Sequence, residues 1–133
     1  MALKISLAAG EKVIIGGAVI TNSGVRCKLS VENRVTVLRE KDIMKETDAN
    51  TPCQKIYLSV QLMYIDEENV VAYHNAYWEL VRDVLAAAPS TLSLIDPISQ
   101  LVLNGEYYKA LKLVQKLIDY EEETLKNARE SSL

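Results

Sequence analysis

Five cations in the first third of the chain, Lys4, Arg26, Lys28, Arg39 and Lys41, are the residues whose type and spacing point to chemistry. Arg26 and Lys28 stand two apart in the alternating run Val25-Arg-Cys-Lys-Leu-Ser-Val31, and Lys4 stands in a second one, Leu3-Lys-Ile-Ser-Leu7. A period of two turns every second side chain to the same face of a strand, so each run sets a polar, basic row against an apolar one. Ammonium and guanidinium groups in a row suit a polyanion. Arg39 is the best single candidate for RNA contact, because a guanidinium can pair bidentately with phosphate or with guanine. Lys41 follows it in Arg39-Glu-Lys-Asp42, a segment that also reads as a solvated helix start.

Charge is divided unevenly along the chain. Residues 1–46 carry eight Lys and Arg against five Asp and Glu, while the remainder carries seven against thirteen. The basic part is therefore the candidate for a polyanion. A surplus this small cannot drive tight non-specific binding, so any nucleic-acid contact has to be geometrically selective. All seven tyrosines and Trp78 lie after residue 50. The basic part thus has no aromatic platform for base stacking, which leaves Arg and Lys side chains and strand-edge backbone groups to make the contact.

Catalytic chemistry finds no constellation. His74 is the sole histidine, and Cys27 and Cys53 form no CxxC pair. Both thiols read as reduced structural residues. No Ser, Thr or Cys sits beside an identifiable base. Gly16-Gly17 lacks the Gly-Lys-Ser/Thr of a phosphate loop. Asp66-Glu67-Glu68 reads as a set of helix-capping carboxylates, and Glu121-Glu122-Glu123 as a solvated turn. The expectation is a protein that is not an enzyme and needs no metal or cofactor.

These residues have to be positioned by an α+β chain. Turn signals at Ala9-Gly10, Gly16-Gly17, Asn22-Ser23-Gly24 and Glu32-Asn33-Arg34 cut residues 1–46 into a meander of five short antiparallel strands. Gly16-Gly17 is a hairpin signal, since both turn positions take positive φ freely. Lys45 to Asn50 is a polar connector, and Thr51-Pro52 opens a helical bundle of about four helices over 51–128. Val71, Trp78, Val81 and Leu85 widen the apolar face of the second helix, Pro97 kinks or breaks the third, and Asn104-Gly105 stops it. The fourth shows Tyr107, Leu111, Val114, Ile118 and Leu125 on one face, and residues 129–133 should fray. Tyr73, Tyr77 and Trp78 are candidates for protein interaction. A single aromatic-free strand layer must be covered by the helices, by a second copy or by both, so a homodimer is expected. No apolar run approaches the roughly 20 residues of a membrane helix and no signal-peptide core opens the chain, so a cytoplasmic protein without membrane contact is expected.

Several stretches carry a resemblance: Met1-Ala-Leu-Lys-Ile5, Gly10-Glu-Lys-Val-Ile-Ile-Gly-Gly-Ala-Val-Ile20, Leu38-Arg-Glu-Lys-Asp-Ile-Met44, Ile56-Tyr57 with Gln61-Leu-Met-Tyr64, and Gly105-Glu-Tyr-Tyr-Lys-Ala-Leu-Lys112. Over nearly its whole length the chain resembles the FlbT family of flagellum-biosynthesis regulators. That resemblance implies post-transcriptional control at the 5′ untranslated region of flagellin mRNA, lowering its stability or translation, with FlaF as a companion of opposite effect. Flagellin or FlaF protein would be the partner if the helical part acts as an interaction module. The opening half also looks like the carbon storage regulator CsrA, whose interlocked β dimer binds GGA-containing leaders through its first and last strands. Arg39 sits where that family keeps its closing-strand arginine. The first strand departs from the pattern, ending Leu7-Ala8-Ala9 where CsrA carries adjacent arginines.

Overall fold

Local turn chemistry builds the first part of the molecule. Gly16 and Gly17 hold φ of +58° and +85°, the left-handed pair that a two-residue hairpin requires. They join β2 (Lys12–Ile15) to β3 (Ala18–Thr21). β1 spans Leu3–Leu7, β4 Cys27–Val31 and β5 Val37–Arg39. The computed structural model describes residues 2–131 and divides the chain into two units, Met1–Ile43 and Met44–Leu133.

The five strands do not form the expected meander. β1 pairs with β4, while β2 pairs with β3 on one side and β5 on the other, giving two antiparallel sheets. Asn22 explains the routing. Its Nδ2 donates to the carbonyls of Leu7 and Ala8, both at 3.1 Å, and of Val25 at 2.8 Å, while its Oδ1 accepts from the Gly24 N–H at 3.1 Å. The loop after β3 is thereby tied to the end of β1, and β4 is delivered alongside β1 instead of β3. β4 accordingly begins later than the alternation suggested, and Val25 is 82% exposed in the loop.

Nor is the strand region a single layer. Ile5 and Leu7 of β1 and Val13 of β2 are buried together, with Cys27, Leu29, Val31, Ile15 and Val37 packed against them. The apolar faces of the two sheets cover each other, so burying them does not require a second copy. Each aliphatic side chain removed from water in this way contributes roughly 1.5–3 kcal/mol. Ile14 and Leu38, which are register partners facing opposite to Val13, are buried too.

Helix-terminal chemistry organises the second unit. Thr51 caps α1 (Pro52–Ile65) in a full capping box: its hydroxyl accepts from the Gln54 N–H at 3.2 Å and Gln54 Oε1 accepts from the Thr51 N–H at 3.1 Å. Buried Gln61 brackets the connector, accepting from the Met44 N–H at 2.7 Å and donating to its carbonyl at 3.0 Å. A 3₁₀ turn at Glu67–Asn69 leads into α2 (Val70–Ala87), and another at Pro89–Thr91 into α3 (Leu92–Leu103). α3 runs unbroken through Pro97. The proline is solvent-exposed, so water can satisfy the carbonyl one turn back that loses its partner. Gly105, at φ +74°, closes α3 in a Schellman motif, with Glu106 N–H on Leu101 O at 2.9 Å and Gly105 N–H on Val102 O at 3.1 Å.

α4 (Tyr107–Ser131) packs on α1 and α3, and α1 packs on α2. The core runs through Ile56, Val60 and Met63, Tyr77 and Val81, Ile95, Ile98 and Val102, and Leu111, Val114 and Leu117. Two apolar faces are narrower than their sequence period implied: Val71 is 72% and Leu125 44% exposed. α4 continues helical past Ala128 to Ser131, and residues 132–133 of the expected tail lie outside the described residues. Among the described residues no helix is long and apolar enough to cross a membrane.

Candidate nucleic-acid interface

The register of the β1–β4 ribbon decides what faces solvent. Leu3, Ile5 and Leu7 pair with Val31, Leu29 and Cys27, and the intervening pairs are Lys4 with Ser30 and Ser6 with Lys28. The Ile5–Leu29 and Leu7–Cys27 pairs belong to the buried cluster, while Leu3 at the end of the ribbon is 51% exposed, so the alternate row comes out on the open face. Lys4, Lys28 and Ser30 are exposed and Ser6 is half-buried. Arg26, immediately before β4, extends the row and donates from Nη1 to Ser6 Oγ at 3.2 Å. Lys4, Ile5, Ser6, Lys28, Leu29 and Ser30 together line an open depression of about 440 Å³. One anion borders it: Glu32, whose Oε1 accepts from the Ser30 hydroxyl at 3.1 Å.

Read along the ribbon, the cations form a ladder. Arg26 stands just before β4, two residues ahead of Lys28, and Lys4 enters from β1 opposite Ser30, two residues further on. At the strand rise Lys28 and Lys4 are offset by about 7 Å along the ribbon, and they lie one strand apart across it. Three of the expected contact residues, Lys4, Arg26 and Lys28, are thus brought together.

The other two are not. Arg39 donates from Nη2 to the Ser6 carbonyl at 2.8 Å and lies 4.0 Å from Glu11 Oε2. Glu11 Oε1 accepts in turn from the Ala8 N–H at 2.8 Å. The guanidinium therefore bolts β5 to β1 and joins the two sheets. Lys41 is exposed on the 3₁₀ turn Glu40–Asp42, outside the ribbon. Sequence reasoning missed Ser6 and Ser30. Both sit at the polar positions of the alternation, but only the register places each hydroxyl opposite a lysine.

The aromatic candidates of the helical unit separate as well. Tyr77 is fully buried, its hydroxyl 2.9 Å from Ser99 Oγ, and burial pushes its pKa up. The half-buried Trp78 stacks edge to face on Tyr77, with ring centroids 4.9 Å apart. Tyr77 is thus a core residue and offers no surface to a partner. Tyr73 donates to Asp66 Oδ2 at 2.5 Å, and Asn69 donates to the same oxygen at 2.9 Å. These bonds hold the Asp66 carboxyl below its ordinary range and, through the Asp66 contact, raise the Tyr73 phenol.

Glu121 is helical, not in a solvated turn. Its Oε2 accepts from the Cys53 N–H at 3.2 Å, placing a carboxylate at the N-terminus of α1. Burial, reinforced by the hydrogen bond and charge of Glu121, pushes the Cys53 thiol up to about 12, which removes thiolate chemistry near neutral pH. Among the described residues no group of three His, Cys, Asp or Glu is placed to hold a metal ion.

Comparison with known proteins adds a family to this geometry. The family profile described as flagellar protein FlbT matches residues 3–125. The chain is 46% identical over 123 residues to a probable flagellum biosynthesis repressor protein FlbT 1 of Bradyrhizobium diazoefficiens, covering 92% of this chain and 84% of that one. It is 40% identical over 127 residues to the flagellum biosynthesis repressor protein FlbT of Caulobacter vibrioides, covering 94% and 90%. A probable repressor of the same name in Rhodopseudomonas palustris is 39% identical over 125 residues, covering 94% and 98%. No solved structure matches the chain.

Proposed function

The chain belongs to the FlbT family of flagellar proteins, and from that premise we propose that it regulates flagellum synthesis by binding the 5′ untranslated region of flagellin mRNA and lowering its stability or translation. The observation that carries this reading is the open face of the β1–β4 ribbon, where Lys4, Arg26 and Lys28 stand in a row. The ribbon's other face belongs to the core, so the backbone that carries Lys4 and Lys28 is held in place by packing. Arg39 supports the site from behind through the Ser6 carbonyl.

The test is made in cells. Deleting the chain from its bacterium should lengthen the half-life of flagellin mRNA after transcription is stopped, or raise output from a reporter fused to the flagellin leader. Complementation should restore both. Unchanged half-life and unchanged reporter output would overturn the proposal.

A second reading is favoured by the exposed apolar side chains Val71, Leu103 and Tyr108 of the helical unit. In it this unit docks flagellin or FlaF protein, and the effect on RNA is indirect. Retention of flagellin by the full chain, lost in Val71→Asp and Leu103→Asp variants, would support that reading; no retention at micromolar concentration would remove it.

A further inference from the structure

We propose that the Arg26–Lys28–Lys4 ladder binds three successive phosphates of a single-stranded nucleic acid and leaves the bases unread; this rests on the RNA-regulator reading above and names the ligand chemistry of the same face. Three observations carry it. The first is spacing. Lys28 and Lys4 are offset along the ribbon by two residues, about 7 Å at the strand rise, close to the separation of successive phosphates along an extended strand, and Arg26 precedes Lys28 by the same two residues. The second is pairing. Lys28 faces Ser6 and Lys4 faces Ser30 across the ribbon, and Arg26 reaches the same Ser6 hydroxyl at 3.2 Å. A phosphate seated on Lys28 therefore meets an ammonium and the Ser6 hydroxyl, the charge-assisted and neutral donors that phosphate oxygens accept, whereas the Ser30 hydroxyl beside Lys4 already donates to Glu32.

The third observation concerns shape. Ile5, Leu7 and Leu29 on the far side belong to the cluster around Val13, so the ribbon meets a ligand with one face only, as a floor. Base stacking has no platform on this floor. The strand unit contains no Phe, Tyr or Trp, which excludes the aromatic platforms that hold splayed bases in single-strand binders. What remains is a short electrostatic track for the backbone. Any preference for one leader over another must then come from elsewhere in the chain or from a partner.

The salt dependence follows from the count of phosphates. Three contacts to a single strand give a slope of log K against log salt of about −2. Affinity should therefore fall roughly twentyfold between 50 and 200 mM salt. Fluorescence anisotropy of the full chain with labelled twelve-nucleotide oligo(U), oligo(dT) and a twelve-base-pair RNA duplex tests this. Oligo(U) and oligo(dT) should bind within about twofold of each other, because no 2′-hydroxyl is read, and the duplex should bind more weakly. Lys4→Gln and Lys28→Gln should each flatten the slope by about 0.7, and the triple variant with Arg26→Gln should abolish it. Ser6→Ala with Ser30→Ala should weaken binding by about threefold at an unchanged slope. All five positions are exposed or half-buried, and far-ultraviolet circular dichroism would confirm that the variants stay folded.

Tighter binding of the duplex, or an oligo(U) slope that survives in the triple variant, would overturn the ladder. The two proposals fail separately. If the triple variant still binds a flagellin leader with full affinity and slope, the ladder is wrong while the regulator reading stands. If oligo(U) behaves as described but flagellin mRNA decay ignores deletion of the chain, the regulator reading falls and the ladder stands.

Discussion

Replacing Arg39 by methionine tests whether this residue is a ligand contact or a fastener. The side chain makes one hydrogen bond with a charged donor, to the Ser6 carbonyl at 2.8 Å, and one loose ion pair with Glu11 at 4.0 Å. Hydrogen bonds to charged groups contribute roughly 1.5–3 kcal/mol net. The Arg39 side chain is 42% exposed, so the ion pair is screened and adds no more than a few tenths of a kcal/mol. Water can reach the freed carbonyl, which keeps the total near the lower end, about 2 kcal/mol. Methionine retains most of the aliphatic stem and isolates that term. Two kcal/mol corresponds to roughly a thirtyfold rise in the opening equilibrium of the strand unit. Native-state hydrogen exchange reads this element by element. The amides of β1 and β4 should exchange about thirtyfold faster, while those of α1 keep the wild-type rate. At a temperature where the variant stays folded, its salt slope for oligo(U) should be unaltered. Unchanged exchange in β1 and β4 would refute the fastener; a flattened slope with unchanged exchange would make Arg39 a direct contact instead.

Three further outcomes follow from the same structure. Because the Cys53 thiol is pushed up to about 12 from an ordinary value of 9.0, the folded chain holds a proton that the unfolded chain has released between those two values. Stability should therefore be unaffected below about pH 9 and fall as pH rises toward 12, and Cys53→Ser should remove that part of the alkaline loss in denaturant titrations. Tyr77→Phe deletes only the hydroxyl bonded to Ser99 and should cost about 1–2 kcal/mol in urea unfolding, with Tyr77→Phe/Ser99→Ala less than additive. An added Cβ at Gly16 would meet only Val35, at 3.9 Å, so the strain at φ +58° is conformational. Gly16→Asn should thus be nearly neutral and Gly16→Val should lose more than 1 kcal/mol by thermal melting.

What could be read from residues alone was what depends on near neighbours. The glycine hairpin, the opening of α1 at Thr51-Pro52 and the stop at Asn104-Gly105 are each settled within about four positions. Strand pairing is not. It turns on Asn22 reaching back to Leu7 and Ala8, and on Arg39 reaching back to Ser6, contacts that span 15, 14 and 33 positions. No local period encodes such bonds, so the meander was the natural but incorrect expectation. The site shows the same division. Alternation identified Lys4, Arg26 and Lys28 strand by strand, whereas the hydroxyls opposite them became visible only with the register. The bond from Arg39 to the Ser6 carbonyl was not legible, because a guanidinium suited to phosphate is equally suited to a backbone carbonyl. On α4 the apolar period continues to Leu125, but the start of α1 already lies beside Glu121, so the last turns of α4 extend past the end of their partner.

The alternation of β4 has a consequence for how this gene can change length. Loss or gain of one codon between Asn22 and Arg26 would disturb the bonds of Asn22 to Gly24 and Val25 but leave the two faces of β4 as they are. The same event between Cys27 and Val31 would invert the strand, sending lysine toward Val13 and leucine toward water. Length variants among related genes should therefore collect in the bend and spare the five codons that follow it.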